Sequence, residues 1–469
     1  MRVFPCSPKR WTGRTRPENH GHFNNFVRDP NLAYTPRRAQ CSRPEETMLE
    51  RLELHHVGPA PELIFDFAPR LNLITGDNGV GKTFVLDVAW WGLTRTWVGH
   101  PASPHRGQRI KPSISVQFEG KRRPISYTSS YDFQAQLWSS KGGRPANPGM
   151  VLYARVDGSF SVWDPARNYW RNAPTLGVDA PDRPAAYHFG PREVWDGLEQ
   201  SGKYLCNGLI RDWASWQGRN GEPYNQLLQA LEVLAPSSQE PLVPGELTRI
   251  SLEDVRDMPT LKAPYGQEVP VVYASAGVKR IISLAYLLVW TWQEHIQASR
   301  LLNQEVTRSI IFLIDEVEAH LHPRWQRTVL RALLRVMAAL TGTEEVQVQV
   351  LAVTHSPLLL ASLEPLFDAE RDALWHLNLE DNTVVLRREI WRRRGDANSW
   401  LISDVFELSE PRSLEAEQAI QHAEELMGRQ DVEPVEFAEV QQELCASLPD
   451  VDPFWLRWRF WAREAGLDA

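Results

Sequence analysis

The sequence predicts an α/β fold in which helices pack against a mixed central sheet, on three observations. LNLITG at Leu71–Gly76 is an apolar strand that breaks into a glycine-rich turn and then opens into a helix. Ile310–Ile314 and Val346–Val353 have the pattern of strands that are covered on both faces, as in parallel sheets. Ile281–Trp292, the longest strongly apolar segment, indicates a buried helix.

The composition is that of an ordinary globular chain, large enough for two or three layers or subdomains. Of the 469 residues, 42% are hydrophobic and 23% are charged. The net charge of -8 gives no chain-wide basic surface, so DNA binding would have to be local. Ile281–Trp292 is too short for a membrane span, which needs about 20 residues. The four cysteines form no C-x-x-C pair, which indicates neither a zinc site nor a disulfide framework and fits a reducing cytoplasm.

The first 47 residues mix Arg, Pro, Asn and Gly without periodicity. They carry too little apolar surface to offset the entropy lost on ordering, so we expect a disordered basic arm over residues 1–47. Two alternatives stay open. The segment could be a Pro-rich transit peptide, or Met48, directly before the first patterned segment, could be the true start.

From residue 48 the pattern predicts a structured head that extends to residue 362. Three short strands, beginning near Leu52, precede the first helix. Segments rich in β-branched and aromatic residues then predict an antiparallel β subdomain over about residues 113–170. Two segments with helical spacing predict a helical subdomain over about residues 195–235.

The turn after the first buried strand predicts a phosphate-binding loop. It fits the pattern G-x4-G-K-T, in which backbone N–H groups and a helix N-terminus surround a triphosphate. Lys82 would reach the β- and γ-phosphates of ATP, and the hydroxyl of Thr83 would bind Mg²⁺. The predicted nucleotide-binding residues of the loop are Gly76, Asp77, Asn78, Gly79, Val80, Gly81, Lys82 and Thr83.

Two carboxylates follow the buried strand Ile310–Ile314. Asp315 is placed to hold the magnesium through water, and Glu316 is placed to polarise the water that attacks the γ-phosphate. The alternative is a strand that ends in two solvated acids. Because a phosphate-binding loop is also present, we favour the magnesium and general-base interpretation.

Two further motifs are weak when each is taken alone. Ser275, Ala276 and Gly277 stand directly before a long apolar helix, and small residues at a helix N-terminus can form an anion site. His355 follows a buried strand, at the edge where ligands bind in open α/β sheets. A helix N-cap and a structural histidine are the simpler interpretations.

In this order and spacing the four motifs resemble those of the ABC-type ATPase heads of the SMC, RecF and overcoming-lysogenization-defect group, from Leu49 to Ala361. The segment DEVEAHLHPRWQ is similar to that of predicted AAA family ATPases of bacterial defence and repair systems. The resemblance implies a P-loop NTPase of the ABC-ATPase type, with a mixed central sheet and with Lys82, Glu316 and His355 as catalytic residues.

The same resemblance implies a head-to-head homodimer on ATP binding. ATP would lie between the phosphate loop of one subunit and the signature segment Ser275–Gly277 of the other. His355 would contact the γ-phosphate, and the segment Glu318–His322 would cross the dimer interface.

The chain departs from the family pattern at two places. The signature continues as Val-Lys-Arg, which leaves the use of Arg280 open. No glutamine matches the Q-loop, and neither Gln117 nor Gln217 is assigned to it. His320 and His322 lack a third partner, which favours an interface segment over a metal site.

Residues 363–469 are predicted to form a mainly helical module for a partner or substrate. Arg387–Arg394 is a basic run that could contact DNA phosphates or be a solvated surface, and we favour the surface. The segment after it resembles the tails of ATPases encoded beside an HNH nuclease, as in Septu-like systems. Trp455, Trp458 and Trp461 repeat at helical spacing, which favours core or dimer packing over base stacking.

Together these features predict an ATP-hydrolysing switch whose dimerisation controls a separately encoded effector, in anti-phage defence or DNA repair. Asp450 and Asp452 follow no apolar strand, so we predict no nuclease centre within this chain. Two alternatives stay open: a RecF-like repair ATPase that binds DNA, and an ATP-driven transporter subunit. The DEVEAHLHP segment, the β insertion and the C-terminal extension favour the switch, in the cytoplasm and without a membrane partner.

Overall fold

The computed structural model describes residues 47–107, 110–120, 123–139, 146–168, 184–341, 346–429 and 431–467. The arm expected over residues 1–47 lies outside these ranges apart from Thr47, so both the arm and the start at Met48 stay predictions. All elements named below belong to the described residues.

Strands predominate up to Cys206, and helices predominate after it. The strands are β1 (Leu49–Val57), β2 (Ala60–Asp66), β3 (Leu71–Gly76), β4 (Ser113–Phe118), β5 (Ile125–Asp132), β6 (Leu137–Trp138), β7 (Met150–Ala154), β8 (Phe160–Trp163), β9 (Tyr187–Phe189), β10 (Leu198–Gln200), β11 (Lys203–Cys206), β12 (Thr260–Lys262), β13 (Glu268–Pro270), β14 (Ser309–Ile314), β15 (Gln347–Val353), β16 (Asp372–Glu380) and β17 (Thr383–Glu389). The helices are α1 (Lys82–Thr94), α2 (Pro191–Asp196), α3 (Leu209–Arg219), α4 (Glu222–Leu234), α5 (Ala276–Leu301), α6 (Pro323–Gln326), α7 (Val329–Thr341), α8 (Pro357–Leu363), α9 (Ala397–Leu401), α10 (Leu414–Met427), α11 (Pro434–Ser447) and α12 (Phe454–Glu464).

An eight-stranded sheet forms the centre of the fold, in the order β17-β16-β3-β15-β14-β7-β8-β9. The five strands from β16 to β7 run parallel. The outer strands β17, β8 and β9 pair antiparallel. Ile314 pairs with Ala352 of β15 and with Ala154 of β7. The carboxyl ends of these strands therefore lie along one edge of the sheet, where ligands bind in folds of this kind.

Neighbouring residues of the central strands face two separate cores, because successive side chains of a strand point to opposite faces. Phe312 packs in the core shared with α4, α5 and α7. Ile311 and Leu313 pack in the core shared with α1 and a second sheet. That second sheet is antiparallel, in the order β2-β1-β4-β5-β6. The predicted mixed α/β fold, with an antiparallel sheet and a helical C-terminal part, is confirmed.

Two strands differ from the sequence-based boundaries. The prediction assigned β7 and β8 to the antiparallel subdomain at about 113–170, but both belong to the central sheet, and β7 pairs in parallel with β14. A short apolar strand has the same composition in either kind of sheet, and β14 comes from a distant part of the chain. The local pattern therefore could not reveal the pairing. The segment at about 195–235 contains the hairpin of β10 and β11 besides its helices.

The head also extends past the predicted limit at residue 362. β16 pairs in parallel with β3 and antiparallel with β17. The guanidinium of Arg70 donates hydrogen bonds of 2.8 and 2.5 Å to the buried carboxylate of Asp372, which joins the starts of β3 and β16. Residues 372–389 thus complete the central sheet, and the separate module at 363–469 stays a prediction only for the residues after them.

The helices α10, α11 and α12 share a small core of their own. Trp458 is fully buried and stacks on Phe437 with 5.2 Å between ring centroids, and Trp455 is buried beside it. The packing interpretation of these tryptophans is confirmed. Asp452 accepts two hydrogen bonds from Arg412 and one from the N–H of Phe454, so its carboxylate has a structural role. No helix among the described residues combines the length and hydrophobicity of a membrane span.

Gln349 joins the two sheets through a buried side chain on β15. Its amide nitrogen donates to the carbonyl oxygens of Leu49 and Ala68 at 2.9 and 3.0 Å, and its amide oxygen accepts from the N–H of Leu49 at 3.1 Å. A buried polar group that loses its partner destabilises a fold by about 1–3 kcal/mol. This one side chain satisfies three such groups where β1 meets the central sheet.

Gln349→Leu should lower the free energy of unfolding by about 2–4 kcal/mol, because the buried N–H and carbonyl of Leu49 lose the side chain that they bond, whereas the carbonyl of Ala68 keeps a hydrogen bond from Asn72. Denaturant unfolding measures the change. Gln347→Leu is the matched control, since Gln347 is exposed on the same strand, and it should change the free energy by about 0.5 kcal/mol or less. Equal effects of the two substitutions would contradict this role of Gln349.

Candidate nucleotide site

The loop between β3 and α1 depends on glycines with positive φ. Gly76, Gly79 and Gly81 have φ of 132°, 81° and 94°, a region that side chains with a Cβ disfavour. A Cβ on Gly76 would lie only 1.8 Å from the backbone oxygen of Leu377 on β16, and one on Gly81 would lie 2.7 Å from the ring of Pro59. The loop is therefore pressed between β16 and the β1–β2 turn, with no room for another residue type at either end.

The start of α1 fits an anion. Its N-cap is Gly81, which supplies no side-chain acceptor, so the first N–H groups of the helix have no capping partner. The ammonium of Lys82 donates to the carbonyl oxygens of Gly76 and Asp77 at 2.9 and 2.5 Å and so lies across the loop. Burial lowers the pKa of Lys82 to about 8. Asp77, Asn78 and Gly79 are exposed at the tip, whereas Val80 is buried.

Thr83 and Asp315 meet although they are 232 positions apart in the chain. The hydroxyl of Thr83 lies 3.0 and 3.2 Å from the two carboxylate oxygens of Asp315. Asp315 directly follows β14, and its N–H donates to the carbonyl of Ala154 at 2.9 Å. Burial raises the pKa of Asp315, and the hydroxyl of Thr83 lowers it. A hydroxyl and a carboxylate in contact at a sheet edge are the oxygen ligands that Mg²⁺ prefers.

Glu316 and His355 stand beside this pair. Glu316 is half-buried and has φ of +44°, a left-handed conformation that is unusual for a glutamate. His355 follows β15, and burial together with the positive charge of Lys82 lowers its pKa. Its imidazole is therefore neutral at pH 7. The charge of Glu316 acts on both Lys82 and His355, which puts the three ionisable groups within electrostatic reach of one another.

Glu318 holds the backbone at His355. Its carboxylate accepts a hydrogen bond of 2.5 Å from the N–H of His355, and burial raises the pKa of Glu318. Glu318 was expected in a segment that crosses a dimer interface, and its sequence context does not reveal this internal contact. The carboxylate thus links the loop after β14 to the end of β15.

The signature segment Ser275–Gly277 lies next to the loop after β14. Ser275 caps α5, and its hydroxyl accepts from the N–H of Val278 at 3.4 Å. Ser275 and Ala276 are exposed, whereas Gly277 is buried and a Cβ there would lie 2.7 Å from the carbonyl oxygen of His320. Hydrogen bonds thus join Thr83 to Asp315 within this subunit, but those of Ser275 stay within its own helix.

The two glutamines weighed for the Q-loop lie elsewhere. Gln117 donates to Glu50 in the antiparallel sheet, and Gln217 donates to the carbonyl of Gly245. The position beside Asp315 at the end of β7 is taken by Arg155, whose charge lowers the pKa of Asp315. Within the described part of the chain, no cluster of three His, Cys, Asp or Glu residues could hold a metal, and His322 instead accepts from the N–H of Arg324.

A cavity of about 350 Å³ lies beside the first turns of α1. The cavity is close to the phosphate loop, because Phe84 and Asp87 on α1 contribute to its wall. Aromatic and imidazole rings complete the wall, and such surfaces suit a planar ring. Its lining includes Gly58, Phe84, Asp87, Trp97, His100 and His105.

Known proteins are similar to this chain over its head, and one curated relative is similar over most of its length. The family model described as "AAA domain, putative AbiEii toxin, Type IV TA system" matches residues 71–361. The chain is 21% identical over 406 residues to the Septu protein PtuA of Bacillus thuringiensis, an alignment that covers 83% of this chain and 91% of PtuA. It is 26% identical over 148 residues to the Retron Vc95 probable ATPase of Vibrio cholerae serotype O1 biovar El Tor, which covers 31% of this chain and 26% of that protein.

Solved structures of SMC heads are distant neighbours. The SMC head domain from Thermotoga maritima is 12% identical, with a TM-score of 0.37, and the superposition covers 73% of this chain and 100% of that one. An SMC head bound to the C-terminal winged-helix domain of ScpA is 14% identical, with a TM-score of 0.39, and the superposition covers 74% of this chain and 98% of that one.

Gly76→Ala should weaken nucleotide binding at least about tenfold, because the new Cβ would collide with the carbonyl of Leu377 and displace the loop. Fluorescence titration with a labelled ATP analogue measures the affinity. Gly158→Ala is the matched control, since Gly158 also has a positive φ of 82° but has open space around it. That variant should bind nucleotide normally. Normal binding by Gly76→Ala would contradict the proposed fit of the loop.

Proposed function

This chain belongs to the AAA domain family whose model spans residues 71–361, and we propose from that premise that it hydrolyses ATP as a dimeric switch. The observation that carries the proposal is the contact between Thr83 and Asp315 at 3.0 Å. It supports a single site built from the phosphate loop and from the end of the neighbouring parallel strands.

Lys82, Thr83 and Asp315 each have a distinct role in this proposal. The N–H groups at the start of α1 bind the phosphates, and Lys82 exchanges the loop carbonyls of Gly76 and Asp77 for phosphate oxygens. The hydroxyl of Thr83 and the carboxylate of Asp315 would hold the magnesium. Magnesium held there would supply positive charge to neutralise the phosphates of ATP. The buried carboxylate of Asp315 also gains a cationic partner, which offsets its desolvation.

Hydrolysis requires a base and a contact to the γ-phosphate. Glu316 directly follows the metal-binding Asp315, so its carboxylate can orient and polarise the attacking water. His355 is neutral at pH 7 and can donate a hydrogen bond to a γ-phosphate oxygen. The hydrogen bond from the N–H of His355 to the carboxylate of Glu318 fixes the backbone beside both groups. Glu316 and His355 are therefore oriented before the nucleotide binds.

A second copy of the chain completes the site in this proposal. Ser275, the N-cap, and Ala276 are exposed at the N-terminus of a 26-residue helix, the end that favours anions. The hydrogen bond that the hydroxyl of Ser275 accepts lies within its own helix and is long, at 3.4 Å, so this hydroxyl can turn towards a phosphate on another subunit. A two-fold dimer would bring each signature segment to the phosphate loop of its partner, which gives two equivalent sites.

The biological role follows from the relatives. The alignment with the Septu protein PtuA includes most of the chain, and the retron ATPase supports the same class of system. We therefore propose an ATPase of anti-phage defence whose dimer controls a separately encoded effector, a nuclease as in Septu-like systems. The alternative of a DNA-binding repair ATPase draws on Arg392 and Arg393, which are exposed and form no ion pair with another described residue.

Two inactive variants should restore hydrolysis when mixed. Lys82→Ala should lose nucleotide binding, and Ser275→Arg should bind nucleotide but not hydrolyse it, because its arginine blocks the partner's site. A mixed dimer holds one intact site, so an equal mixture should regain at most about a quarter of the wild-type rate. Phosphate release measures the rate. A mixture of Lys82→Ala with Thr83→Ala is the control and should stay inactive. No recovery in the first mixture would contradict a shared site.

A further inference from the structure

Arg280, on the second turn of α5, joins the ends of two central strands with one side chain. One terminal nitrogen of its guanidinium, Nη2, donates to the carbonyl oxygens of Asp315 and Glu316, both at 3.0 Å. The other, Nη1, donates to the carbonyl oxygen of Val156 at 3.0 Å. Nη1 also donates a longer hydrogen bond of 3.5 Å to the carbonyl oxygen of Arg155, so all four acceptors are backbone oxygens. A guanidinium presents its donors in a rigid planar fork, so it can hold several carbonyls in a fixed arrangement, which the single ammonium of a lysine cannot do.

The two carbonyls that Nη2 binds determine the conformation of Glu316. The carbonyl of Asp315 belongs to the peptide plane before the Cα of Glu316, and the carbonyl of Glu316 belongs to the plane after it. When both oxygens are held, both planes are oriented, and φ and ψ of Glu316 are fixed together. The direction of its side chain from the Cα is then fixed as well.

This restraint acts where the backbone is strained. Glu316 has φ of +44°, a left-handed conformation that is unfavourable by about 1–2 kcal/mol for a residue with a Cβ. Such a conformation persists only where its surroundings impose it. In the nucleotide site described above, Arg280 is the side chain that hydrogen-bonds on both sides of Glu316.

The start of α5 also contacts the loop after β14 at a second place. Gly277 lies three residues before Arg280, and a Cβ there would approach the carbonyl oxygen of His320 to 2.7 Å. The start of α5 therefore contacts the segment from Asp315 to His320 near both of its ends. A shift of this helix end would change the positions of the carbonyls around Glu316.

We propose that Arg280 is a positioning residue, which orients Glu316 for hydrolysis and couples that orientation to the signature segment of its own subunit. The proposal rests on the proposed function, because it takes Glu316 as the base. Engagement of Ser275 with the nucleotide of a partner subunit would then act, through α5 and Arg280, on the base of the subunit that carries the signature. Arg280 itself touches backbone only, so nucleotide binding does not depend on it.

The first test separates binding from turnover. Arg280→Gln should lower kcat at least about tenfold, with KM and the affinity for ATP within about twofold of wild type. Arg280→Lys keeps the positive charge but lacks the planar set of donors. It should recover only a small part of the kcat that is lost in Arg280→Gln. A wild-type kcat in Arg280→Gln, or a full recovery in Arg280→Lys, would overturn the proposal.

A double-mutant cycle asks whether Arg280 acts through Glu316. Glu316→Gln should keep ATP binding and lose most hydrolysis. If the two residues act as a unit, adding Arg280→Gln to Glu316→Gln should leave the residual rate unchanged within about twofold. If the two residues act independently, Arg280→Gln should lower the residual rate of Glu316→Gln by the same factor as it lowers the rate of the wild type. This result would overturn the proposal.

Arg331→Gln is the matched control for lost packing, since Arg331 is a half-buried arginine on α7 that also donates to a backbone carbonyl, that of Ser362. It should keep the wild-type kcat. Unfolding of both Arg280 variants, with Arg331→Gln folded, would assign Arg280 a structural role alone. Wild-type turnover by Glu316→Gln would refute the base and with it both proposals. Loss of turnover in Glu316→Gln but not in Arg280→Gln would refute the role of Arg280 only.

Discussion

The contact between Thr83 and Asp315 is the interaction on which the site depends. It needs the parallel register of β3, β15 and β14, because that register brings the ends of these strands to one edge. It also needs the turn at Gly76, where a Cβ would lie 1.8 Å from a backbone oxygen of β16. The buried carboxylate of Asp315 is an unfavourable charge to bury alone, and a bound cation would stabilise it. The fold thus creates a site that a metal would complete in the proposed function.

The segment that follows Asp315 is held from two directions. Arg280 on α5 binds the backbone on both sides of Glu316, and Glu318 binds the backbone at His355. The first contact comes from helix α5, which packs in the core on one face of the central sheet. The second contact is made at the end of β15, a strand of that sheet. Preorganisation of this kind places catalytic groups before the nucleotide arrives. Glu316, with its unusual φ, lies between the two backbone carbonyls that Arg280 binds.

The sequence predicted the site best where the reactive residues and the local structure that holds them lie within one short segment. The glycine-rich loop and the apolar run before Asp315 each carry their pattern within a few residues. The pairing of β7 with β14 and of β16 with β3 depends on contacts between distant segments, which periodicity does not encode. Arg280 and Glu318 were missed as positioning residues for a similar reason. Their partners are backbone atoms, which leave no pattern in the sequence.

The location of the metal tests the central claim most directly. A crystal structure of the Glu316→Gln variant with ATP and Mn²⁺ would show the metal by its anomalous scattering. The account predicts one peak per subunit, about 2.2 Å from the hydroxyl oxygen of Thr83 and about 4 Å from the carboxylate of Asp315, with the triphosphate along the start of α1. A metal bound away from Thr83 and Asp315, with a triphosphate that does not contact Lys82, would contradict it.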